Sequence, residues 1–111
     1  MRYFCILLLA MTAFHVHAEF VDGAQLNGWC QSESHTLDRY RCLAYVVAVA
    51  DTHSMMYKTR TIRRQFCLGE QTKIQMIGDA VSRYFKDYDQ TLDVPASSLV
   101  VNALRDSYPC E

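Results

Sequence analysis

Proline occurs twice and glycine four times in 111 residues, and charged residues make up only 21% of the chain. Such scarcity excludes collagen-like and low-complexity disordered sequences, and the length excludes several domains. Charge of one sign is missing too. Eleven Lys plus Arg stand against twelve Asp plus Glu, a formal net charge of −1, without the basic excess that phosphate-backbone binding needs. Nucleic acid is therefore not an expected partner. No Gly-rich phosphate loop, G-x-S-x-G elbow or H-E-x-x-H pair occurs, and no cysteine pair has the C-x-x-C spacing of a zinc site. No cofactor or metal is expected.

What is present begins with an export signal. Arg2 supplies a positive charge, residues 3–14 form an apolar stretch, and Val16-His17-Ala18 offers the small-residue pattern of a cleavage site. About twelve apolar residues fall short of the ~20 that cross a bilayer as a helix. Residues 1–18 thus read as a signal peptide and residues 19–111 as one exported domain, periplasmic and free of the membrane once cleaved. Removing the signal leaves Cys30, Cys42, Cys67 and Cys110, an even number suited to two disulfides in an oxidising compartment.

Four segments carry helical periodicity. The first opens at Asp22, with Gln25 three residues on in capping-box position and Val21 and Leu26 placed to staple it; Gly28 stands near its end. The second has Thr36 as its expected N-cap, Asp38 in the first turn, and Leu43, Val46, Val47 and Ala50 as its stripe. A polar connector over 53–65 follows, holding Lys58, Arg60, Arg63 and Arg64. A third helix is expected from Thr72, with Gln75 in a second capping box and Ile74, Ile77, Val81, Tyr84 and Tyr88 repeating every three to four residues. After an acidic stretch over 87–95, a fourth starts between Pro95 and Ser97, turns Leu99, Val100, Ala103 and Leu104 inward, and stops before Pro109. The fold class is all-α, a compact bundle of about four helices stapled by two disulfides.

Four cysteines allow three pairings. Cys30 ends the first helix and Cys42 sits early in the second, so they can pin that hairpin. Cys67 precedes the third helix and Cys110 follows the fourth, so they meet if those helices are antiparallel neighbours. The expected bridges, Cys30–Cys42 and Cys67–Cys110, would contribute about 3 and 4 kcal/mol by loop-closure entropy.

Such pairing removes every thiolate nucleophile from the mature chain. His35, between Glu33 and Asp38, and His53, beside Asp51, are the remaining acid/base candidates, and neither sits in a recognisable catalytic pattern. A binding module is the reading that fits.

The residues then resemble a known group. Asp22-Gly23-x-x-Leu26-x-x-x-Cys30, Cys42-x-x-Tyr45 with Val49-x-Asp51, Phe66-Cys67, Thr72-x-x-Gln75 with Tyr84-Phe85, Leu92-x-x-Pro95-Ala96-Ser97, and the ending Tyr108-Pro109-Cys110 are similar to the Rap/Tai immunity proteins, across essentially the whole mature chain. Leu68-Gly69 departs from the apolar residue and proline that members often carry after the third cysteine, which bears on where the third helix starts. The resemblance implies a small helical periplasmic protein, often a homodimer, without enzyme activity. Its partner would be a type VI secretion effector, a peptidoglycan amidase whose active site the immunity protein occludes, preventing self-intoxication. The alternative is a small periplasmic helical chaperone or stress-related binding protein, suggested by size, disulfides and the Met55-Met56-Tyr57 cluster. For the contact surface the basic connector, Lys58, Arg60, Arg63 and Arg64, is favoured over the acidic one with Asp87, Asp89 and Asp93, because crowding like charges does little for folding and suits an acidic partner.

Overall fold

A computed structural model describes residues 20–88 and 93–111. The proposed signal peptide and Asp89 lie outside the described residues. Four helices follow in order: α1 (Gly23–Gln31), α2 (Thr36–Lys58), α3 (Ile74–Asp87) and α4 (Ala96–Ser107). Every pair of helices is in contact, so the four enclose a single core.

Asp22 caps α1 as expected, its Oδ1 accepting the Gln25 N–H at 2.8 Å. The start of α1 is also tied to the start of α4. Gly23 N–H donates to the Val94 carbonyl at 2.9 Å, and Ala96 N–H donates to the Val21 carbonyl at 3.1 Å. That short antiparallel bridge uses backbone alone, so side-chain patterning carried no sign of it.

α2 departs from expectation at both ends. Thr36 is its first residue rather than its cap; His35 precedes it, with its carbonyl accepting from Asp38 and Arg39. At the other end α2 runs to Lys58, so the connector begins at Thr59 rather than at His53. No Gly or Pro interrupts 53–58, and the buried stripe reaches His53. That stripe is Cys42, Val46, Ala50 and His53, with Leu43 and Val47 only half-buried on its flank.

α3 begins at Ile74, and Thr72 lies outside it with its N–H bonded to the Gly69 carbonyl at 3.0 Å. Gln75 plays no part in a capping box; the Met76 sulfur accepts the Lys73 N–H at 3.4 Å instead. Ile77 and Val81 are buried as expected, whereas Ile74 and Tyr88 are about half exposed and Phe85 fills the core in their place. Leu99, Val100, Ala103 and Leu104 of α4 are all buried, together with Leu26, Phe66 and Ala96.

Both disulfides form: Cys30–Cys42, with Cα atoms 5.0 Å apart, and Cys67–Cys110, at 5.1 Å. Around the first, Gln31 Nε2 donates to the Ser82 carbonyl at 2.9 Å, fastening the end of α1 to α3. Beside the second, Cys67 N–H donates to the Tyr108 carbonyl at 2.9 Å. The strand of chain between α2 and α3 is thereby anchored at its far end to the end of α4.

Candidate functional site: the basic connector

The connector leaves α2 through a left-handed turn. Thr61 N–H reaches back to the Met56 carbonyl at 2.8 Å and Arg60 N–H to the Tyr57 carbonyl at 3.0 Å, the paired bonds of a Schellman motif. Its left-handed position is normally glycine. Here it is Arg60, with φ of 59°, the one non-glycine residue of positive φ among those described. An L side chain in that region costs about 1–2 kcal/mol. Thr59 reinforces the turn, its hydroxyl lying 3.0 Å from both the Met55 carbonyl and the Thr61 hydroxyl.

Farther along, the connector is drawn back onto α2. His53 is 7% exposed, and its Nε2 accepts the Gln65 N–H at 2.9 Å. Its ring stacks on Phe66 with centroids 4.0 Å apart. An accepting Nε2 puts the proton of the neutral imidazole on Nδ1. Burial, and then the nearby Arg64 charge, hold this imidazole below the ordinary histidine value. Arg64 itself lies over the Tyr57 ring at 4.7 Å, a cation–π contact that fixes one of the four cations.

Lys58, Arg60, Arg63 and Arg64 are all exposed and lie within one short stretch of chain, with Lys58 as the last residue of α2. Next to the segment a groove of about 360 Å³ runs between α2 and α4, walled by Tyr45, Val49, Met56, Ile62 and Val101. Tyr45 bonds to Ser97 across it, while burial outweighs that bond and raises the phenol above its ordinary value.

Of the acidic alternative, Asp87 closes α3 and Asp93 is exposed. The two histidines do not meet. They are eighteen residues apart on the axis of α2, about 27 Å at 1.5 Å per residue, with His35 exposed and His53 buried. All four described cysteines are in disulfides, so none of them offers a thiolate. What the site can do chemically is present fixed positive charge beside an apolar groove.

The Rap1a immunity proteins match this chain over residues 22–110, which takes in all four helices and both disulfides. The chain belongs to the Rap1a immunity protein family. Among curated proteins none matches it. Membership points to a role in immunity against a type VI secretion effector, exercised by binding a secreted partner. The sequence marks the segment's cations but not Arg60's left-handed backbone or the bond from Gln65 to His53. The only available signal was the missing glycine where a helix had to end.

Proposed function

We propose that this protein is exported by removal of residues 1–18 and acts in the periplasm as the immunity partner of a peptidoglycan amidase delivered by type VI secretion. It binds the effector and covers its active-site cleft, so that the producing cell's own wall is spared. Lys58, Arg60, Arg63 and Arg64 contact the effector and meet an acidic surface on it. No catalysis by the immunity protein is involved.

The observation that carries this reading is the connector itself, within a chain of an immunity family. Backbone strain at a non-glycine residue persists only where the surrounding structure over-determines it, and Arg60 is such a residue, in the turn that opens the segment. Four cations within seven residues repel one another in the free protein. Both features oppose folding, and both suit a partner that supplies carboxylates. A second copy belongs to the proposal as well: Leu37, Tyr40 and Met55, exposed on α2, would form the face of a homodimer.

The test is co-expression in the periplasm with amidases encoded beside this gene, scoring rescue from lysis. Rescue with the intact protein, lost on replacing Arg60 and Arg63 by Glu, is the expected result. Failure to rescue from any adjacent amidase, with the protein folded and exported, refutes the amidase as target.

A further inference from the structure

We infer that His53 is a clasp for the basic connector: its neutral imidazole holds the connector's far end, residues 63–65, against α2 by accepting the Gln65 N–H, and protonation of the ring releases it. The geometry is specific to this. The acceptor is a side chain of α2, while the donor is a backbone amide twelve residues on, at the far end of the connector. Between acceptor and donor lie Lys58, Arg60, Arg63 and Arg64, so one hydrogen bond closes the stretch of chain that carries all four cations. Phe66, stacked on the same ring, fixes the imidazole plane so that Nε2 points at the amide.

Protonation removes the only lone pair that Nε2 has to offer, and two N–H groups are then left facing each other. The surroundings give a charged ring nothing in exchange. Arg64 and Tyr57 line the hollow on one side of it and Tyr45 the groove on the other. α4 brings only Ser97 and Val101 to that groove, and the segment after the connector brings only Phe66 and another apolar side chain to the first hollow. Asp51, two residues back on α2, is exposed and points to the opposite side of the helix. No carboxylate lines either hollow, and the one cation that does, Arg64, repels a charged imidazole. At neutral pH the clasp is therefore closed, and it opens on acidification.

Opening frees the segment between the Schellman turn at Arg60 and the disulfide at Cys67. That such opening weakens effector binding rests on the connector being the contact surface, as proposed above; the clasp itself does not. His53 is accordingly a positioning residue, acting through the connector without touching the partner.

Amide exchange of the isotope-labelled, disulfide-bonded protein, read by NMR from about pH 7.5 to about pH 5, spans an ordinary histidine titration. The protection factor of the Gln65 amide is expected to fall by about tenfold, the equilibrium worth of one hydrogen bond. That fall should follow the His53 ring signals, not those of His35, while the Leu26 amide in α1 stays protected. His53→Gln keeps an acceptor that does not titrate, so Gln65 protection should persist without pH dependence. His53→Leu should leave Gln65 unprotected throughout, and should it not fold, the comparison of wild type with His53→Gln decides. Gln65 protection that stays constant while the ring titrates, or a His53→Gln profile matching wild type, overturns the clasp. An effector affinity that ignores pH while the clasp demonstrably opens would instead refute the connector as contact surface and leave the clasp standing.

Discussion

Replacing Arg60 with glycine separates what this residue does for the fold from what it does for a partner. In the folded protein its φ of 59° is in the left-handed region, where an L side chain costs about 1–2 kcal/mol and glycine nothing. Glycine is more flexible in the unfolded chain, which gives back about 0.4–1 kcal/mol. The side chain is exposed, so little packing is lost on removing it. Arg60→Gly should therefore stabilise the protein by about 0.5–1 kcal/mol, a rise in Tm of roughly 2–8 °C for a domain of this size. Arg60→Ala keeps the strain and removes the same charge, so its Tm should stay close to wild type. Thermal unfolding followed by circular dichroism, with disulfides intact, measures both. In effector binding the two variants should be equally impaired, since both lack the guanidinium. A drop in Tm for Arg60→Gly, or an equal rise for Arg60→Ala, would refute the account of strain; unimpaired binding in both would refute the role in recognition.

Charge reversal of Arg60 and Arg63 to Glu should weaken effector binding by several kcal/mol at low salt and less at high salt, with Tm little changed, as calorimetric titration at two ionic strengths would register. His35→Ala should leave both protection and stability intact, because the side chain is exposed. His53→Ala, by contrast, strands the Gln65 N–H and opens space beside Phe66, so a loss of about 2–4 kcal/mol in denaturant unfolding is expected. A histidine held below its ordinary value binds fewer protons folded than unfolded; stability should be full above about pH 6.5 and decline as pH falls through the lowered value, a decline that His53→Gln should reduce in urea titrations at several pH values. Gly28 is exposed within α1 and a methyl group there would meet nothing within 4 Å, so Gly28→Ala should raise stability by up to about 1 kcal/mol.

The four helices and both disulfides were legible because each rested on a strong local signal: Asp22 with its free backbone amides, the stripe of α4, and cysteines placed at helix ends. The errors lie where tertiary packing chose between equal local options. Ile74 and Phe85 are both apolar and, about three turns apart, share one face of α3; Phe85 lies within the helix and is buried, whereas Ile74 is its first residue, at the end of the packed stripe, and stays exposed. Thr72 with Gln75 is a sound capping pattern, but the chain from Cys67 must first return from its disulfide, and α3 starts two residues later with a methionine sulfur at its first free amide. By sequence His53 falls in the polar connector because it is polar and stands among polar residues. Periodicity counts apolar side chains, and it has no way to register that an imidazole can fill a core position when a backbone amide satisfies its nitrogen.

The connector illustrates how a polar loop can be made rigid without a core of its own. Its first residues are set by the Schellman turn on Met56 and Tyr57, Arg64 is laid on the Tyr57 ring, Gln65 is held by His53, and Cys67 is bonded to Cys110. Each constraint fixes residues that would otherwise have to be ordered when a partner binds, at about 1–2 kcal/mol of backbone entropy apiece. The Cys67–Cys110 bridge and the His53–Gln65 bond also stabilise the fold, whereas the strain at Arg60 works against it. Under the proposed function the constraints act as preorganisation: the entropy is lost during folding, so that the cations would meet an acidic surface already in place. An unbraced segment of the same charge would be attracted equally fast but would hold less tightly, because the electrostatic field sets the rate of encounter while the ordering still to be done sets the rate of escape.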